Sequence, residues 1–154
     1  MQTVTLSASE VEKLFSVAEG HFVDFKGKAI APAKLTRAVS AFANADGGEL
    51  YVGIDEPSSG GPKTWNGFDS VEEANGLVQA LDALFPLGQG CRLTFLGSEG
   101  RHGVVLQVDV LKSRDIIKSS SGGVFVRRGA QNLPVVQPEA LERLRLNKGL
   151  TSFE

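Results

Sequence analysis

The segment Ala41–Glu56, AFANADGGELYVGIDE, constrains the fold more than any other stretch of the chain. It reads as a helix end, a Gly-Gly turn and an alternating strand closed by two acids. Glycine after Asp46 can adopt the positive backbone angles that a side chain penalises, so a helix can stop and reverse there. Beyond the turn, the two-residue period of extended backbone sets Leu50, Val52 and Ile54 on one side. Glu49, Tyr51, Gly53 and Asp55 fall on the other. A helix halted this sharply, then a strand carrying a carboxylate to its far end, points to a site as well as to packing.

The flanking sequence supplies partners for that unit. Ser9 followed by Glu12 fits a capping box and predicts a helix through Ala18, with Val11, Leu14, Phe15 and Ala18 on its buried face. Val23–Lys26 alternates as a strand. Pro32 at a first helical turn opens the next helix, with Leu35, Ala38, Val39 and Phe42 as its apolar stripe. Val71–Phe85 has helical spacing and stops at Pro86. Arg92–Leu96 and Val104–Leu111, joined by SEGRHG, predict a hairpin. Gly123–Arg128 reads as a further strand and Pro138–Leu146 as a last helix ending at Gly149. This order of helices and strands predicts an α+β fold, a mixed sheet flanked by helices.

A chain of 154 residues with 42% hydrophobic and 22% charged side chains suits one globular domain, taken as 1–154 with a core at about 10–146. The one cysteine, Cys91, rules out an internal disulfide framework and fits a reducing compartment. No apolar run reaches membrane-spanning length and no signal-peptide pattern opens the chain, so the expectation is a cytoplasmic protein without a membrane partner. The net charge of −2 is unevenly spread. Residues 1–77 hold 6 basic and 11 acidic side chains, whereas residues 78–154 hold 10 and 7. Lys112, Arg114, Lys118, Arg127 and Arg128 stand against only Asp115 in the segment 112–128. A basic strip on a mildly acidic body fits a localised phosphate contact; a solvated loop is the plain alternative.

Glu19, Asp24 and Asp55 stand near element ends. If Val23–Lys26 pairs with Glu49–Asp55, Asp24 and Asp55 could converge at one sheet edge. Clustered carboxylates hold hard cations such as Mg²⁺ or Mn²⁺, which stabilise developing charge on a phosphodiester and activate water. Lys26 could then steady the phosphate. Read from the residues alone, ordinary exposed acids remain the alternative. One cysteine and the distant His21 and His102 do not make a zinc ligand set. Pro62 spoils any likeness of GGPKT to a phosphate-binding loop.

In order, E-x4-D-F-K (Glu19 to Lys26), AFANADGG, LYVGIDE, the WNGF loop and VRRG (Val126–Gly129) resemble the Schlafen AlbA-like domain over nearly the whole chain. The resemblance implies nucleic-acid binding, described for bacterial relatives as DNA binding. Eukaryotic relatives imply a second activity, metal-dependent endoribonuclease cleavage of transfer and ribosomal RNA by three carboxylates. By motif position these are Glu19, Asp24 and Asp55, with Lys26 beside the phosphate and Mg²⁺ or Mn²⁺ as cofactor. Asp24 stands where the family usually has glutamate, and Glu56 adjoins Asp55. Lys26, Lys28, Arg37, Lys118, Arg127 and Arg128 are the expected nucleic-acid contacts. The leading expectation is a metal-dependent endoribonuclease acting on structured RNA such as tRNA. Its alternatives are a non-catalytic DNA-binding or regulatory module and a protein-interaction domain. A single lobe could straddle RNA as a homodimer.

Overall fold

A strand that the sequence does not advertise opens the fold: β1 (Gln2–Leu6), almost wholly exposed. The computed structural model describes residues 2–149 except Ser59 and Phe85. β1 delivers the chain to Ser7, which caps helix α1 (Ala8–Phe15). The Ser7 hydroxyl accepts from the Glu10 N–H at 3.2 Å, and the Glu10 carboxylate accepts from the Ser7 N–H at 3.0 Å. The capping box therefore lies two residues before the expected Ser9–Glu12 pair, and the helix ends at Phe15 instead of Ala18. Both pairs match the pattern; the one that receives the chain directly from β1 is the one used.

Strand β2 (Val23–Lys26), helix α2 (Pro32–Asn44) and strand β3 (Gly48–Val52) follow as their sequences predict. The turn between α2 and β3 depends on Gly47, whose φ is +79°. Its N–H returns to the Phe42 carbonyl at 2.9 Å, and a Cβ there would stand 2.6 Å from the Val110 carbonyl oxygen. The single strand expected over Glu49–Asp55 is broken at Gly53, where φ is +115°. The short β4 (Ile54–Asp55) then pairs with β5 (Thr64–Trp65) in its own ribbon. The break turns Ile54 away from the side shared by Leu50 and Val52 and into a second cluster with Tyr51.

A 3₁₀ turn at Val71–Ala74 leads into α3 (Asn75–Asp82), shorter than the expected Val71–Phe85 helix, whose last residue lies outside the described set. β6 (Cys91–Ser98) and β7 (Val105–Val110) form the expected hairpin. β8 (Phe125–Arg128) pairs with an unforeseen β9 (Gln131–Pro134), and α4 (Pro138–Asn147) closes the fold.

The main sheet has the order β1-β6-β7-β3-β2. β1 is parallel to β6 and β2 to β3, while the central pairings are antiparallel. The result is a mixed α+β domain. The main core lies between this sheet and α2 with α3, where Leu35, Val39 and Phe42 meet Leu50, Val52, Leu106 and Val108. Phe25, Tyr51, Leu96 and Val105, one residue out of phase, build the smaller core with Leu14 and Phe15 on the opposite face. Among the described residues no helix is long and apolar enough to cross a membrane.

Candidate functional site

The strongest polar feature is a buried ion pair. Arg127 is the largest fully buried side chain, 1% exposed, and it reaches from β8 to β2. Its Nη1 donates to Asp24 Oδ2 at 3.0 Å and to Asn132 Oδ1 at 2.9 Å. Nε and Nη2 donate to the Gly20 carbonyl at 3.1 and 2.8 Å, and Nη2 also to the Val23 carbonyl at 3.2 Å. All the donors of the guanidinium are thereby used inside the protein. Its Cζ lies 4.7 Å from the centre of the Phe42 ring. A buried guanidinium is tolerable only with this degree of pairing. Arg127 therefore holds the β8–β9 hairpin to the edge of the main sheet, and its expected role as a nucleic-acid contact is corrected to a structural one.

Asp24, itself 1% exposed, is equally committed. Oδ1 accepts from the Phe25 N–H at 2.8 Å, and Oδ2 faces both Arg127 and the Lys26 ammonium, the latter at 3.5 Å. Glu19 sits beside it, accepting from the Phe25 N–H at 3.3 Å. Burial, then its hydrogen bond to Asp24 and the Asp24 charge, push the Glu19 carboxyl up to about 7.

Asp55 does not join them. β2 and β3 pair as expected, but their register sets Asp24 opposite Leu50 and Lys26 opposite Val52. Past the break at Gly53, Asp55 lies on the separate β4–β5 ribbon. Its Oδ2 accepts from Asn66 Nδ2 at 3.1 Å, and Oδ1 faces Gly27. The acid whose charge does reach Glu19 is the neighbouring Glu56, itself paired with Lys63 at 3.3 Å. Among the described residues no group of three or more His, Cys, Asp or Glu side chains could hold a metal ion. The donor set Glu19, Asp24 and Asp55 does not fit Mg²⁺ or Mn²⁺ in this arrangement.

The basic residues divide. Lys26 is half-buried against Asp24, and Lys28 donates to the Gly67 carbonyl at 3.2 Å. Arg37 is exposed on α2, its guanidinium 5.8 Å from the Phe125 ring centre. Lys118 is exposed in the loop whose Ser120 meets Thr36 of the same helix at 3.0 Å. Arg128 faces outward, as strand alternation requires once Arg127 faces in. That alternation was the signal in VRRG that both arginines could not share one surface.

Asn44, from the AFAN segment, has a role the sequence did not reveal. Its Nδ2 donates to the Ile117 and Phe125 carbonyls at 2.8 and 2.9 Å, and its Oδ1 accepts from the Ile117 N–H at 2.8 Å. This buried amide clamps the basic loop and β8 onto α2. Next to it opens a cleft of about 490 Å³ between the β8–β9 hairpin, α4 and the α2–β3 turn. His21, Asp46, Lys112, Arg128, Arg143 and Lys148 line it.

Comparison with known proteins agrees with this architecture. The family model described as Schlafen, AlbA_2 matches residues 19–136. No curated protein matches significantly. The crystal structure of the DIP2311 protein from Corynebacterium diphtheriae superposes with a TM-score of 0.59 at 23% identity, covering 94% of this chain and 32% of that one. The chain thus spans about a third of the length of that neighbour. The solution structure of the N-terminal domain of a RecG-related protein from Nitrosomonas europaea gives a TM-score of 0.56 at 20% identity, covering 77% of this chain and 84% of that one.

Proposed function

The chain belongs to the Schlafen AlbA_2 family, and from that premise we propose that it is a nucleic-acid-binding module that holds its ligand without cutting it. The observation that carries this reading is the division of the pair Arg127–Arg128. One arginine folds inward onto Asp24 and takes the carboxylate that cleavage would need, while the other stays at the surface. Asp24 is thereby spent on the fold, and Arg37, Lys118 and Arg128 are left outside. The net charge of −2 makes a general polycation effect an inadequate source of affinity, so binding must come from such local cations. The RecG-related neighbour, whose name places it with ATP-dependent DNA helicases, is consistent with this class of ligand.

Fluorescence anisotropy with labelled tRNA and labelled duplex DNA, from about 50 to about 300 mM salt, tests the reading. Counterion release makes log affinity fall linearly with log salt. Arg37→Glu with Lys118→Glu is expected to weaken binding by about tenfold or more without changing the circular dichroism spectrum. Absent binding, or binding indifferent to salt, would point to a protein partner instead.

A further inference from the structure

The cleft between the β8–β9 hairpin, α4 and the α2–β3 turn combines two properties that rarely serve one purpose. Its walls carry Lys112, Arg128, Arg143 and Lys148, with Asp46 as the one carboxylate among the described lining residues. Asp46 is itself occupied: His21 Nε2 lies 2.6 Å from Oδ2 and Lys112 Nζ 4.0 Å from Oδ1. The Lys148 ammonium points into the protein, donating to the Ala43 carbonyl and to the carbonyl and hydroxyl of Ser113 at 3.2, 2.8 and 3.1 Å. It adds positive charge from beneath the cleft. Burial, and then the Lys112 charge, pull its pKa down to about 8.

The rim is apolar. Leu133 and Val136 line the cleft and are 38% and 72% exposed. Beside it Phe22 stands 56% exposed, its ring set edge-on to His21 with centroids 4.8 Å apart. An isolated phosphate would not use these apolar groups, and an uncharged ligand would not use the cations. A nucleotide with its base unpaired uses both, through phosphodiester oxygens and a flat aromatic face. A duplex keeps its bases stacked inside and offers mainly phosphate to such a site.

The geometry points to this cleft as a binding site for single-stranded nucleic acid, with Lys112, Arg128 and Arg143 on the phosphodiester and Phe22 stacked on an unpaired base. The inference rests on the nucleic-acid-binding reading and adds to it the place and the strandedness of the ligand.

The test uses the full chain with fluorescent oligo(U), oligo(dT) and a hairpin-free duplex, alongside a polyglutamate peptide. Arg128→Glu with Arg143→Glu should weaken oligonucleotide binding by more than about tenfold and flatten its salt slope by about 1.4, the loss of two single-strand phosphate contacts. Phe22→Ala should cost about tenfold through lost stacking, with the salt slope unchanged. Lys13→Glu with Arg101→Glu, an equal charge change near α1, should leave affinity within about twofold of the parent. Preference for oligo(U) over oligo(dT), or the reverse, identifies which single strand is held. Oligonucleotide binding unaffected by the cleft variants overturns the site while leaving the broader reading intact. Binding to the duplex alone overturns the strandedness, and polyglutamate binding as tight as oligo(U) overturns the ligand class. If neither single strands nor duplex bind, the broader reading fails with it.

Discussion

Arg127 Nη1 lies 3.0 Å from Asp24 Oδ2, and both side chains are almost completely buried. This contact joins β2, at the edge of the main sheet, to the β8–β9 hairpin. Removing Arg127 leaves the buried Asp24 charge with only the half-buried Lys26 ammonium at 3.5 Å, and breaking a buried pair typically costs about 3–5 kcal/mol. Arg127→Met is therefore expected to lower unfolding free energy by about that amount in urea. The double variant with Asp24→Leu should recover much of the loss. Equal destabilisation of single and double variants would mean that the pair is not what holds the hairpin.

Asn44 makes three hydrogen bonds to the loop and strand that pack on α2. Asn44→Ala leaves buried backbone groups unpaired, at about 1–3 kcal/mol for each that water cannot reach. Amide hydrogen exchange should show selective loss of protection at Ile117, with the β6–β7 hairpin unaffected. Uniform loss across the sheet would contradict a local clamp.

Gly47→Ala forces a Cβ into a left-handed turn and within 2.6 Å of the Val110 carbonyl. The backbone conformation alone costs about 1–2 kcal/mol, and the collision adds to it. A loss of about 2 kcal/mol or more in chemical denaturation is expected. A neutral substitution would show that the turn can re-form without glycine.

The Glu19 carboxyl, pushed up to about 7 from an ordinary 4.5, keeps a proton in the folded protein that the unfolded chain has already released. Between those values the folded state binds more protons, so this group's contribution to stability falls as pH rises and levels off above the folded pKa. Glu19→Gln mimics the protonated acid throughout. The stability of the variant minus that of the parent should rise between about pH 5 and about pH 8. A flat or falling difference would mean that the Glu19 carboxyl is not held up by its surroundings.

The parts of the fold written in local chemistry were legible in the sequence. Pro32 started a helix, Gly47 ended one in effect, and the β6–β7 hairpin followed from alternation and its turn. β1 and β9 were not legible, because each is exposed and draws its order from a neighbouring strand. The site was legible as a set of residues and not as an arrangement. Asp24 had the look of an exposed acid because nothing local signals that Arg127, more than a hundred positions away, covers it. The sequence offered the pairing of β2 with β3 only as a condition; the structure makes it parallel with Asp24 opposite Leu50, and the break at Gly53 carries Asp55 onto a separate ribbon. Arg143 and Lys148 joined Lys112 through the packing of α4, which no spacing in the sequence encodes.

Incubation of labelled tRNA with excess protein, in Mn²⁺ or in chelator, tests the central claim most directly when binding and chain integrity are read from the same sample. The account predicts salt-sensitive binding with intact RNA under both conditions. Fragments that appear with Mn²⁺, vanish in chelator and are lost in Glu19→Gln would contradict it.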